Sequence, residues 1–349
     1  MEFKKESILV SSIRSLCNTL GGLIGILVGA IIIFIALIMF SKAQQYSDKT
    51  QLVIAADANG SRELLPSSAP VVLKINIHGP IGTKMLNTRT IEAQLLDSRA
   101  QMLKNDRVKA LLLHINSPGG TATDSYSIYT ALKNYKEKYN IPIYAYVDGI
   151  CASGAMMIAC SADKILASPP SIIGSVGVIM GPNFNISSLM EKYGVKQLTF
   201  SKGKDKDTLS PFKTWKENEG SYIKNIINYQ YDLFVNIVTS SRPDMNKEKL
   251  VSDYGAQVFD PAVALNYGYI DDKSGSYSQT LTELTKKANL DTKYQVVELK
   301  IIQPVFADLI EGRSNIISGK IKHELSLNQS FPSEFINKPL YYYHLGNID

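Results

Sequence analysis

The sequence predicts an α/β domain of βαβ units with helices packed on a mostly parallel sheet, preceded by one membrane-spanning helix. Two observations predict this. Leu20 to Phe40 is 21 residues without a charge. From Val71 onward, apolar runs of strand length alternate with segments of helical periodicity, the pattern of right-handed βαβ crossovers.

At 1.5 Å per residue the apolar run reaches roughly 31 Å, enough to cross the hydrocarbon core. It is longer than the apolar region of a cleavable signal peptide, so an uncleaved anchor is expected even though Ser41-Lys42-Ala43 has a small-x-small pattern. Lys4, Lys5 and Arg14 precede the span and Lys42 and Lys49 follow it, a slight bias toward a cytoplasmic N-terminus. The rest of the chain then lies outside the cytoplasm. Gly21, Gly25 and Gly29 share one face of the span and would let two such helices approach.

The expected organisation is a cytoplasmic N-terminus at 1–19, the anchor at 20–40, a linker at 41–70, the main domain at 71–300 and a C-terminal extension at 301–349. The linker is polar and broken by Gly60, Pro66 and Pro70. Strands are expected at Val71 to Ile77, Val108 to Ile115, Pro142 to Val147 and Lys196 to Phe200. Helices are expected at Thr90 to Asn105, with Ile91, Leu95 and Met102 inward, and at Asp124 to Tyr139, with Ile128, Leu132 and Tyr135 inward. Asn185 to Tyr193 reads as a short helix. Lys216 to Ser241 reads as a long one whose apolar stripe suits a core or a subunit interface. The extension carries an amphipathic piece near Val305 to Ile310 and the run Tyr341-Tyr342-Tyr343.

Composition excludes some classes. The formal charge of +5 comes from interspersed lysines, not a basic block, so no nucleic-acid partner is expected. His78, His114, His323 and His344 make no zinc-ligand spacing with one another or with cysteine, so no metal or other cofactor is expected. Cys151 and Cys160 read as free, buried thiols filling the core.

The segment with the most chemistry is Asp148 to Gly177. Ser153 follows the Pro142 to Val147 strand and a turn at Asp148-Gly149. After it comes Gly154-Ala155-Met156-Met157-Ile158-Ala159, a buried helix. A serine there can be a plain N-cap. It can also be a nucleophile, because unpaired N–H groups at a helix start favour a developing oxyanion. Upstream, the Val108 to Ile115 strand breaks at Asn116-Ser117-Pro118-Gly119-Gly120, where two glycines allow backbone N–H groups to turn into a cleft. Pro-Gly-Gly is equally the composition of an ordinary turn.

Together, INSPGG at Ile115 to Gly120, ASG around Ser153, ADKILA at Ala162 to Ala167, IGSVGV at Ile173 to Val178 and KDTLSP at Lys206 to Pro211 resemble the signal peptide peptidase A family of membrane-bound serine proteases. The resemblance covers roughly Val71 to Leu290 and implies the short, single-repeat form on a ClpP/crotonase-like fold. It implies Ser153 as nucleophile, Lys206 as general base, Ser175 as the hydroxyl orienting the lysine, and Gly120 with Gly154 as oxyanion donors. The substrates it implies are hydrophobic peptides, including signal peptides left in the membrane. The family location implied is the bacterial inner membrane. ClpP/crotonase relatives form rings, which implies a homo-oligomer larger than a dimer. Gln257 and Asp260-Pro261 depart from the family's pattern after the lysine.

Lysine removes a serine proton only when burial or nearby positive charge lowers its pKa from about 10.4. Asp205 and Asp207 oppose that shift at Lys206, so burial is expected to supply it. His114, the rival base, lies within an apolar strand and reads as a wall residue. Two other classes stay open: a crotonase-like acyl-thioester enzyme, which needs neither Ser153 nor Lys206, and a non-catalytic membrane scaffold.

Overall fold

The computed structural model describes residues 8–45, 50–290, 293–301 and 340–342. The described residues divide into two units, one of residues 8–45 and one of residues 50–290, 293–301 and 340–342. In the first unit, helix α1 (Ile8–Gln45) contains Val10–Ala36, 27 residues of mean hydropathy 2.6, which is long and apolar enough to cross a membrane. The helix extends past the uncharged run at both ends because the polar flanks hold no proline, and Arg14 falls inside it.

The second unit opens with a difference from expectation. Thr50–Ile54, within the expected linker, is strand β1. The order continues β2 (Val71–His78), α2 (Thr88–Asp97), β3 (Val108–Ser117), β4 (Gly119–Thr121), α3 (Ala122–Tyr139), β5 (Ile143–Ala152), α4 (Gly154–Ala159), β6 (Lys164–Ala167) and β7 (Ile172–Gly174). Then follow α5 (Ser187–Lys192), α6 (Ser221–Ser241), the single turn α7 (Lys247–Lys249), β8 (Val258–Phe259), α8 (Pro261–Asn266), α9 (Tyr277–Lys287), β9 (Gln295–Ile301) and β10 (Leu340–Tyr342).

One eight-stranded sheet has the order β1-β9-β2-β3-β5-β7-β8, with β6 also paired to β5. The β9-β2, β2-β3, β3-β5, β5-β6 and β5-β7 pairs are parallel, and only β1-β9 and β7-β8 are antiparallel. Central strands buried on both faces read as continuous apolar runs, as in LLL at Leu111 to Leu113. Alternation still assigns the faces. Leu73, Ile75, Leu111, Leu113, Ile143 and Ala145 pack with α2, α3, α4 and α6, whereas Val72, Leu112, Tyr144 and Tyr146 pack under α9 through Leu281 and Leu284.

Caps set the helix limits near the chemistry. Thr121 accepts the Asp124 N–H to start α3, and Asn140 ends it in the left-handed region. The inward positions Ile128, Leu132 and Tyr135 are buried as the periodicity requires. Met102 is exposed instead, because α2 stops at Asp97 and a short 3-10 turn at Gln101–Leu103 points Leu103 inward in its place. Lys196 to Phe200 forms no strand, since no sheet edge within the described residues lies beside it, and Phe200 is 90% exposed. The amphipathic piece near Val305 to Ile310 lies outside the described residues.

Candidate active site

Ser153 sits between β5 and α4 with φ +55° and ψ −121°, a conformation sparsely populated for residues other than glycine. It is 1% exposed. Its N–H donates to the Gly174 carbonyl at 2.8 Å, and its carbonyl accepts the Met157 N–H at 3.1 Å. The hydroxyl makes no capping bond to α4. A serine kept only as an N-cap would make that bond in an extended conformation. Strain without capping is the signature of a side chain aimed by a sharp strand-to-helix turn, the device that presents nucleophilic serines elsewhere.

Gly120 lies beside this turn. Ser117 pairs with Cys151 across β3 and β5, which brings the strip that follows Ser117 next to the residues that lead into Ser153, and α4 packs on β4. The strip is a strand, not a free turn. Along one edge, Ile81 N–H donates to the Gly119 carbonyl at 2.8 Å and Thr121 N–H to the Ile81 carbonyl at 3.0 Å. The approach is so close that a Cβ on Gly120 would lie 1.9 Å from the Ile81 oxygen. Along the other edge β10 pairs antiparallel, Tyr341 opposite Gly120. Gly154 is the first residue of α4 and is buried.

Ser175 follows β7 at φ +57° and is buried, its N–H donating to the Gln257 carbonyl at 2.7 Å. Gly174, at φ +125°, permits this, since a Cβ there would lie 2.7 Å from the same oxygen. The hydrogen bond from Ser153 N–H to Gly174 makes Ser153 and Ser175 parts of one frame. The sequence carried no signal for the bracing role of Gln257, which acts through its backbone.

Lys206 departs from expectation. It is exposed, in the turn region from Gly203 to Ser210, beside a shallow depression of about 500 Å³ lined by Lys204, Asp205, Lys206 and Tyr222. Among the described residues its side chain makes no hydrogen bond or ion pair, with Ser153, Ser175 or any other group. The burial expected for this lysine is therefore not supplied within one described chain. The physical reason lies in its surroundings: Phe184, Tyr193, Leu198 and Phe200 are all exposed, so the excursion after β7 finds no apolar cover in its own fold. Lys202 and Lys204 are exposed as well, and the loop is tied instead by Lys213, which bridges Asp207 at 3.1 Å and Glu219 at 2.9 Å.

The rival nucleophile and base are removed by position. Cys151 and Cys160 are free and buried. Burial pushes the Cys151 thiol far up and the Cys160 thiol up to about 12, so neither supplies a thiolate. His114 stacks on Tyr146, with Tyr277 of α9 beside it, on the sheet face away from α4, and its Nε2 lies 3.7 Å from Asp148.

Residues 73–173 match the Clp protease family model, and residues 135–291 match the model of peptidase family S49. A putative signal peptide peptidase SppA of Enterococcus faecium is 29% identical over 334 residues, covering 89% of this chain and 94% of that protein. A putative protease of Synechocystis sp. is 35% identical over 196 residues, covering 54% of this chain and 69% of that protein. A solved ClpP1 mutant from Listeria monocytogenes is similar over 59% of this chain and 94% of that one, at 14% identity and a TM-score of 0.38. With the parallel sheet, the Clp protease match over its central strands and the S49 match across Ser153, Ser175 and Lys206, the chain belongs to peptidase family S49, a family of serine-type peptidases on a ClpP-like fold.

Proposed function

We propose that this chain is a membrane-anchored serine endopeptidase in which Ser153 is the nucleophile and Lys206 the general base. The observation that carries the reading is the backbone of Ser153, strained, buried and free of any capping bond where β5 turns into α4. Ser153 Oγ attacks the scissile carbonyl, Lys206 Nζ takes the hydroxyl proton and returns it to the leaving amine, and water then cleaves the acyl-enzyme. Backbone N–H groups of Gly120 and Gly154 stabilise the oxyanion, and Ser175 orients the lysine.

The substrate class is hydrophobic peptide, remnant signal peptides included. β10 occupies the outer edge of β4 with Tyr341 opposite Gly120, so an extended peptide backbone takes the place of β10 there and frees the Gly120 N–H for the oxyanion. Helix α1 holds the enzyme in the bacterial cell membrane, with the protease domain on the extracytoplasmic side. Protease added to intact spheroplasts is expected to degrade the domain.

The working form is a homo-oligomer. The exposed apolar side chains from Ile179 to Phe200, with Tyr222, Ile226 and Tyr229 on α6, are the surface a second copy would cover, and covering them takes the neighbouring Lys206 loop out of water. The test of the activity is hydrolysis of a model hydrophobic peptide by the detergent-solubilised full chain. Wild type is expected to cleave and Ser153→Ala to be inert, whereas equal turnover by the two would overturn the assignment.

A further inference from the structure

The strip that carries Gly120 is held by a carboxylate with no part in the chemistry above. Asp124, in the first turn of α3, reaches out of its helix to two other segments. Its Oδ1 accepts the Thr88 N–H at 2.9 Å and the Thr88 hydroxyl at 2.8 Å, at the start of α2. Its Oδ2 accepts the Thr121 hydroxyl at 2.6 Å, at the end of β4. Thr121 in turn accepts the Asp124 N–H, and its carbonyl accepts the Ser125 hydroxyl at 2.8 Å.

Those two segments bracket the strand edge that matters. The chain between β2 and α2 carries Ile81, whose N–H and carbonyl take up Gly119 O and Thr121 N. Gly82, at φ +95°, lies so close that a Cβ there would sit 2.5 Å from Thr121 Cγ2 and 3.2 Å from Asp124 Oδ2. A strand alternates the direction of its backbone groups residue by residue. With Gly119 O and Thr121 N turned toward Ile81, the Gly120 N–H and carbonyl face the opposite edge, where Tyr341 stands until an extended substrate replaces β10.

We infer that Asp124 is a positioning residue. By fastening the start of α2 to Thr121 it keeps Ile81 seated on the inner edge of β4, and so fixes the direction of the Gly120 N–H. The inference rests on reading Gly120 as an oxyanion donor. Removing one such donor costs on the order of 10² to 10³ in kcat, so loosening its aim costs part of that, about 10- to 100-fold.

The experiment uses the detergent-solubilised full chain and a hydrophobic peptide substrate. Asp124→Asn keeps the shape but removes an acceptor from the clamp, and is expected to lower kcat about 10- to 100-fold with KM within about threefold. Inhibition by a peptide aldehyde, whose adduct with Ser153 places an oxyanion in the same hole, should weaken by a similar factor. Binding of uncleaved peptide to the Ser153→Ala, Asp124→Asn double variant should match that of Ser153→Ala. If Asp124→Asn does not fold, Thr88 decides: Thr88→Ser keeps the hydroxyl and is expected to keep near-full kcat, while Thr88→Val lowers it. Asp124→Asn with kcat within twofold of wild type, parallel losses in peptide binding and kcat, or indistinguishable Thr88→Ser and Thr88→Val would each overturn the inference. Full activity of Ser153→Ala would instead sink the reading of the site itself.

Discussion

The N–H of Ser153 donates to the carbonyl of Gly174 at 2.8 Å, joining the β5–α4 turn to the end of β7. Gly174 is at φ +125°, and the next residue, Ser175, passes its own N–H to Gln257 at 2.7 Å. Ser153 and Ser175, the proposed nucleophile and orienting serine, thus stand on consecutive links of one backbone network, both at positive φ. Strain of this kind costs about 1–3 kcal/mol per residue and persists only where the surroundings enforce it.

Gly174→Ala tests that frame. The new Cβ meets the Gln257 oxygen at 2.7 Å and the residue loses a conformation that only glycine adopts cheaply. The expected result is at least a tenfold loss of peptide hydrolysis and about 1–3 kcal/mol of stability in urea unfolding. Wild-type turnover in this variant would show that the frame is not needed.

Gly120→Ala is the sharper lesion. Its Cβ would occupy space 1.9 Å from the Ile81 carbonyl, so β4 and the Ile81 segment cannot both stay. Turnover is expected to vanish, and the melting temperature to fall by several degrees, as for a loss of a few kcal/mol. A variant that melts like wild type and still cleaves peptide would contradict the seating of β4 on Ile81.

What the sequence made legible follows from how local each feature is. The parallel strands announced themselves because apolar runs such as Val108 to Ile115 are buried on both faces, and α3 because its inward stripe has one period throughout. β4 was hidden inside a Pro-Gly-Gly that reads as a turn, since its partners Ile81 and Tyr341 are remote in sequence. The clamp did leave a trace, a Thr at 121 with an acid three residues on, the pattern of a helix start. Lys196 to Phe200 shows the converse, alternation of strand type without a sheet edge to receive it. The exposure of Lys206, against the burial expected for it, was not readable, because burial depends on what covers a surface and not on the lysine's neighbours in sequence.

His114 gives a pH prediction. Burial, then the charge of Lys74 and the proximity of His78, lower its pKa from 6.5 to about 4, against the opposing pull of Asp148. Its side chain is only 16% exposed. Below pH 6.5 the unfolded chain takes up this proton while the folded chain does not, so stability falls as pH drops from 6.5 toward 4. The loss attributable to His114 is up to about 3 kcal/mol by the time pH 4 is reached. Denaturant unfolding of wild type and His114→Gln at pH 7 and pH 4.5 measures it: the wild type should lose more stability between the two. Parallel losses would mean that His114 is not the group responsible.

Lys206 carries the last prediction, because three lysines crowd the same loop and all are exposed in one chain. Lys202 and Lys204 flank Gly203, whereas Lys206 stands before the turn that runs through Asp207 to Ser210, the part of the loop fixed by Lys213 and Glu219. A base must return to the same place at every turnover, so the lysine nearest the fixed segment is the one suited to the task. Loss of a general base costs about 10² to 10⁴ in rate, and more where the nucleophile depends on it wholly. Lys206→Ala is therefore expected to be as inert as Ser153→Ala in peptide hydrolysis, while Lys202→Ala and Lys204→Ala each keep more than about a tenth of wild-type activity, the scale of indirect electrostatic effects. If the proposed assembly covers the loop, activity per molecule falls on dilution as that assembly dissociates, with light scattering following the size. Near-normal turnover by Lys206→Ala alongside a dead Lys204→Ala or His114→Ala would reassign the base and leave the nucleophile standing. Full activity of a monomer would remove the need for a second copy.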